Sequence, residues 1–478
     1  MRKRIYFLIF FFCLLPLFRA EADTVGQKAD FIVESEYSAS GENKVSATLR
    51  KVSYRFYFYF EDKWWNELSE QEIQEIEKTM IDLSNEFDSV IYPKATSLYG
   101  SEWIPGVDRD SKITLLFYPM KENMRGYFRN TDEYEKIVAP MSNQREMLYL
   151  NTDNIRSAFL KEFLVHEFVH LIIFNQKERK YGVAEDVWLN EARAEYMITY
   201  LGYNQKEDSY LETRIDDFLD RSSDSLTQWD SEAYDYGIIN MFIHYLIDQY
   251  GVEVLSESLR TNKAGVESIN YALGQLGKSK TLADIFSDWA VASYLNDCSF
   301  SQRYCYKDDN LDSVQLIPFN NFLPLSGESS LSIGQTLSAW SAHWQKFSGA
   351  RSNVKIDFDG KKQNNLRVFY IIKDFSGNYE VKEMALDADK KGTVTVLDMG
   401  KDKSSIVLIP VSLSSSTSLF YSVTATTFTQ PVENQGSGSE IQLPFEVSKP
   451  LGQMNREELL SVLLRLIIYL LLQGKLVL

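Results

Sequence analysis

The chain has 478 residues, 44% of them hydrophobic and 14% aromatic, which is more apolar material than one ordinary core needs, so two or three domains are expected. With 50 basic against 67 acidic residues the formal charge is −17, which excludes a general affinity for nucleic acid or anionic lipid.

Residues 1–22 read as a secretory signal. Met1-Arg2-Lys3-Arg4 is basic, Ile5 to Phe18 is almost wholly apolar, and Ala20-Glu21-Ala22 offers small residues for cleavage. The run is short for a membrane span, so an extracytoplasmic location (secreted, cell-surface or periplasmic) is expected after cleavage near Ala22. Cleavage removes four basic residues and one acid, a net +3, taking the charge from −17 to −20. Cys13 leaves as well. Cys298 and Cys305 remain, either closing a small loop in an oxidising compartment or staying as two thiols. Residues 23–50 are an N-terminal segment and a candidate pro-segment.

A first domain is expected over 51–306. It opens on a β-branched and aromatic strand, Val52 to Phe60. Ser69 and Glu72 form a capping box ahead of Ile73, Ile76, Met80, Leu83, Phe87 and Val90, a helical spacing that Pro93 should stop. Strands follow at Ile113–Tyr118 and Met147–Leu150. Ala158 to Phe174 is apolar nearly all round and predicts a helix buried in the core; further helices are expected at Leu189–Leu201, Gly237–Tyr250 and Leu282–Leu295.

Beyond Lys307-Asp308-Asp309-Asn310 the texture becomes Ser/Thr-rich. Short runs at Leu366–Ile372, Thr393–Leu397, Ile406–Ile409 and Phe420–Ala425 predict a β-sandwich over 307–448. After the flexible Gln435-Gly436-Ser437-Gly438-Ser439, residues 449–478 predict an apolar helix capped at Asn455. Residues 455–478 would attach to a membrane or self-associate. The fold class is therefore α+β: a mixed sheet then helices, a β-sandwich, and a C-terminal apolar helix.

Inside the buried helix stands His166-Glu167-Phe168-Val169-His170. Residues four apart share a helix face, so two imidazoles can reach one zinc ion while Glu167 projects beside them. A catalytic zinc keeps three protein ligands and an open position, where Glu167 can act as general base on water. Buried histidines satisfied by hydrogen bonds are the alternative, at the cost of burying an acid beside them. His244 and His343 are expected to be structural.

A candidate third ligand, Glu191, stands 21 residues after His170, within Trp188-Leu189-Asn190-Glu191-Ala192-Arg193-Ala194-Glu195-Tyr196. That stretch resembles the W-L-N-E-G-x-A-E-Y segment of gluzincin metallopeptidases, with Ala192 in place of the usual glycine. The resemblance implies a zincin-like domain over 51–306 with Glu191 as third ligand. Glu195, one turn on, would fix the tautomer of a ligand histidine from the second layer of the site. Tyr234-Asp235-Tyr236-Gly237 looks like the gluzincin Y-x-K-G segment and assigns Tyr234 to the oxyanion. Gly126-Tyr127-Phe128 and Asn143 to Asn151 make the order of segments similar to hyicolysin-like peptidases. Met147–Leu150 matches the edge strand that pairs with substrate. The G-x-M-E-N motif of aminopeptidase-N-like enzymes is absent, which implies internal cleavage of a polypeptide. The expectation is a secreted zinc-dependent endopeptidase; its rival is a secreted surface-binding protein or adhesin with a structural or vestigial zinc. Asp108-Arg109-Asp110 and Asp387-Ala388-Asp389 are weaker candidates for Ca²⁺.

Overall fold

The alternating run Phe56-Tyr57-Phe58-Tyr59-Phe60 forms a strand with two buried faces, and the first half of the molecule is built on it. A computed structural model describes residues 22–204 and 209–429, with Leu460, Ser461, Leu463 and Leu464. Strands β1 (Lys28–Ile32), β2 (Lys44–Val52), β3 (Phe56–Glu61), β4 (Ile113–Tyr118), β5 (Gly126–Phe128) and β6 (Met147–Asn151) form one sheet in the order β1-β2-β3-β4-β6-β5. β3, β4 and β6 run parallel, and the other pairings are antiparallel. Phe56, Phe58, Phe60, Leu115, Phe117 and Leu148 face the helices, whereas Tyr57, Tyr59, Tyr118 and Tyr149 close a smaller core with Phe31 and Leu49. The tyrosine hydroxyls reach its rim: Tyr57 donates to Asp110 and Tyr59 to Asp23, each at 2.7 Å.

Residues 23–50 differ from the separate N-terminal segment expected. β1 and β2 belong to the sheet, Val45, Ala47 and Leu49 are buried, and Asp23 is ion-paired to Arg145. The sheet domain thus begins near residue 23, well before 51.

The helices are α1 (Asp62–Asn66), α2 (Glu70–Glu86), α3 (Tyr92–Tyr99), α4 (Leu160–Ile173), α5 (Val187–Tyr200), α6 (Tyr210–Asp220), α7 (Ala233–Tyr250), α8 (Glu253–Ser258), α9 (Gly265–Gln275) and α10 (Leu282–Leu295). The capping box expected at the start of α2 is present, with Ser69 N–H donating to Glu72 at 2.9 Å. Pro93 does not end the run: a wider π-type turn over Phe87–Ile91 leads into α3, where proline occupies the first turn and its missing N–H costs nothing. α4, with no polar face, is buried against both the sheet and α5.

The remaining strands are β7 (Phe319–Phe322), β8 (Ser329–Leu337), β9 (Gln345–Ser348), β10 (Asn353–Asp359), β11 (Leu366–Asp374), β12 (Tyr379–Glu383), β13 (Lys391–Val396), β14 (Lys403–Ser412) and β15 (Leu419–Phe428). They form a four-stranded sheet, β13-β10-β15-β8, and a five-stranded sheet, β12-β11-β14-β9-β7. The two enclose a core that includes Val354, Ile356, Leu408, Tyr421 and Val423. The other face of the five-stranded sheet is apolar too: Phe369, Ile371, Val407 and Ile409 join the helical core. Trp344 Nε1 donates to the Ala290 carbonyl of α10 at 2.8 Å, and the Trp340 and Phe286 rings lie 5.5 Å apart. The boundary expected at 306/307 is thus a change of architecture inside one compact unit that runs to Phe428. Cys298 and Cys305 form a disulfide just before it.

Of the tail expected over 449–478, all but Leu460, Ser461, Leu463 and Leu464 lie outside the described residues. Those four are helical and exposed. Among the described residues no helix is long and apolar enough to cross a membrane.

Candidate metal centre

α4 carries His166, Glu167 and His170, and α5, packed against it, brings Glu191 to the same point. His166 Nε2 lies 3.0 Å from one carboxylate oxygen of Glu191, and His170 Nε2 lies 3.5 Å from the other. One ligand atom from each of the three residues falls within 4.8 Å of the others, and among the described residues this is the one such group. Two imidazole nitrogens and a carboxylate oxygen suit zinc. Ligand atoms about 2.0–2.1 Å from a tetrahedral centre stand about 3.3 Å apart, so three atoms within 4.8 Å of one another would draw in slightly around an ion.

The far side of each ring is held as well. His170 Nδ1 is 3.0 Å from Asn190 Oδ1, so with Nδ1 protonated the ring donates outward and turns Nε2 to the centre. His166 Nδ1 lies 3.3 Å from Glu195, the residue expected to hold a ligand histidine's ring. Glu195 is itself fixed by α6 and α7: Arg214 donates twice, at 2.9 and 3.1 Å, Asn240 at 2.8 Å and Tyr210 at 3.2 Å.

These contacts set the charges. Burial works against ionisation of Glu195, yet the Arg214 guanidinium and His166 hold its carboxyl well below the usual range. Burial also opposes charge on His166, and Glu191 and Glu195 outweigh it, raising the imidazole well above its ordinary value. Glu191 is pushed up by burial but pulled down further by His170 and His166. Glu167 goes the other way: burial raises it, and the two imidazoles only partly offset the rise. A carboxylate with a raised pKa beside a nitrogen-rich centre is suited to taking and returning a proton.

Tyr234 is a correction. Its ring lies under the Arg221 guanidinium, 4.2 Å away, and lines none of the cavities at the centre. Tyr236, two residues and about 200° round α7, lines the cavity with His166 and Glu167 instead, its ring braced by Trp229 (4.9 Å) and Arg214 (4.4 Å). The edge strand is the second correction. β6 is flanked by β4 and β5, so Met147–Leu150 is interior and β5 is the free edge beside the centre. A side chain on Gly126 would meet the Tyr149 carbonyl at 2.7 Å and Glu167 Cγ at 3.3 Å, so this strand runs against α4.

The cleft passes the centre in both directions. Towards His170 a cavity of ≈ 370 Å³ is lined by Glu34, Arg129 and Asn190; towards His166 one of ≈ 450 Å³ is lined by Arg125, Tyr210 and Tyr236. Of the two histidines expected to be structural, His244 bridges Asn240 and Thr199, and His343 contacts Tyr421. The two aspartate pairs proposed for calcium serve turns. Asp108 accepts from Asp110 N–H, and Asp387 accepts from Asp389 and Lys391 N–H, at 2.9 Å each.

No protein-family description and no curated protein matches the chain. Three solved structures have parts of similar shape. The pre-peptidase C-terminal domain of a Bacillus anthracis collagenase shares 11% identity over 23% of this chain and 96% of its own, at a TM-score of 0.17. The Aeromonas hydrophila PliG lysozyme inhibitor shares 7% over 23% and 98%, at 0.16. A family GH115 4-O-methyl-α-glucuronidase shares 12% over 66% and 51%, at 0.15. Likenesses this weak bear on neither fold nor function.

Asn190, Arg214, Asn240, Tyr210 and Tyr236 were not singled out from sequence as parts of the site. Asn190 stands next to Glu191 in the quoted segment and carried a signal; the others depend on how α6 and α7 pack.

Proposed function

We propose that the chain is a secreted, zinc-dependent endopeptidase whose first half is a zincin-like catalytic domain. The observation that carries this reading is the convergence of His166, His170 and Glu191 on one point, with the outer ring nitrogens held and Glu167 alongside. A zinc ion held there supplies Lewis-acid polarisation of the scissile carbonyl and lowers the pKa of water to about 7.

The chain's own residues do the rest. Glu167 takes a proton from the attacking water and passes it to the departing amine, so one water is consumed and a carboxylate and an amine are released. The Tyr236 hydroxyl donates to the oxygen on which charge develops. β5 offers its free backbone edge to an extended peptide. A cleft open on both sides of the centre supports cleavage inside a chain. A purely structural zinc usually has four protein ligands, and among the described residues this group has three. The Cys298–Cys305 disulfide fits the oxidising compartment to which the N-terminal sequence points.

The test is digestion of casein by the purified chain, with and without chelator, beside Glu167→Ala. Chelator-sensitive cleavage that falls at least about a hundredfold in the variant is expected. Cleavage unaffected by both chelator and variant rejects the mechanism.

A further inference from the structure

We infer that Arg125 selects substrates carrying a carboxylate on the leaving-group side of the cleaved bond, an inference that rests on the peptidase reading above. Arg125 immediately precedes β5. Its carbonyl accepts from Asn151 N–H at 3.0 Å, so the ladder with β6 extends to it. Its exposed side chain lines the ≈ 450 Å³ cavity that also contains His166, Glu167 and Tyr236.

The guanidinium is fixed there. It lies 5.3 Å from the Phe163 ring centre and 5.1 Å from that of Tyr210, and Nη1 donates to the Tyr210 hydroxyl at 2.8 Å. Among the described residues it forms no ion pair, and most of its N–H fork is left for a planar carboxylate. The other guanidinium in that cavity, Arg214, is already engaged by Glu195 at 2.9 Å and Asp217 at 3.1 Å. Of the two guanidinium groups among the described residues lining the cavity, that of Arg125 is the one left open to an anion.

Direction follows from the strand. A peptide pairing antiparallel to β5 runs opposite to it, so its C-terminal part passes Arg125. At the other end of β5, Arg129 is committed to Glu34 at 2.7 Å and cannot play the same part. The carboxylate has two sources, an Asp or Glu side chain or a free chain terminus.

The experiment is kcat/KM on quenched peptides of one sequence. One arm varies Glu, Gln and Lys just after the cleaved bond with an amidated end. The other compares a free with an amidated terminus two residues after that bond. Wild type should prefer the carboxylate by at least about tenfold in one arm, which also names its source. Arg125→Glu should turn the Glu-over-Lys preference round, and Arg125→Gln should level it; ratios within one enzyme cancel any change in overall activity. Equal ratios in wild type, or wild-type ratios retained in both variants, overturn the role of Arg125 alone. Failure of wild type to cut any peptide overturns the peptidase reading, and this inference with it.

Discussion

Glu195 accepts from Arg214, Tyr210 and Asn240 and still reaches His166. Removing it would strand a buried guanidinium at a cost of about 3–5 kcal/mol, so its loss cannot report cleanly on the metal. Tyr236 separates the roles better. Tyr236→Phe should lower kcat by about a hundredfold with little change in KM, while Tyr234→Phe, which alters only the stack on Arg221, should stay near wild type; steady-state kinetics on one peptide checks both. The split shows what was legible at this scale. His166, Glu167 and His170 share one helix, so their spacing alone fixes their relation. The choice between Tyr234 and Tyr236 depends on the phase of α7 against α4, which a four-residue motif does not carry. Glu191 was legible through the segment around it, and Arg214 through nothing short of the packing of α6.

Among the strands, β5 is the shortest and runs beside the candidate centre. Gly126 lets it approach Glu167, since any side chain would press on the Tyr149 carbonyl. Gly126→Val should therefore displace Glu167 and, on the proposed mechanism, cut kcat/KM at least about tenfold while zinc stays bound, as activity and metal content measured together would reveal. β4 and α10 were readable to the residue, and α4 within two at its start, because apolar residues recur densely through each of them. β1 and β2 were not: Lys28 to Ile32 and Lys44 to Val52 mix charged and apolar residues, and their apolar side is buried only once β2 pairs with β3 and β1 with β2. β5, three residues long, carries no periodicity at all.

For the molecule as a whole, the shared core of helices and second sheet pair means that the expected domain boundary near 306 would cut through Trp340, Trp344 and their partners. The sequence marked the change of texture there but had no way to register which strand faces pack on α10. A second global property lies in a set of buried acids. Burial, then Glu146, raises Glu133 well above the usual carboxyl range; burial, then Asp108, raises Glu146 to about 8; burial raises Asp108 to about 6. These groups keep protons in the folded state that the unfolded chain releases above about 4.5, so stability falls as pH rises from there to about 8, by about 1.4 kcal/mol per pH unit for each group still protonated. Glu146→Gln, whose carbonyl can still accept from Val107 N–H, should melt higher than wild type at pH 8 and equal to it near pH 4. Thermal melts across that range would check the sign.

Everything proposed for the cleft depends on one divalent ion gripped by two residues of α4 and one of α5. The most direct measurement is metal content per chain, by elemental analysis, for wild type and Glu191→Ala, with circular dichroism to establish that both are folded. About one zinc per chain is expected in wild type, and a loss of most of it in the variant. A folded wild type that takes up no zinc, or a variant that keeps its full complement, would contradict the account.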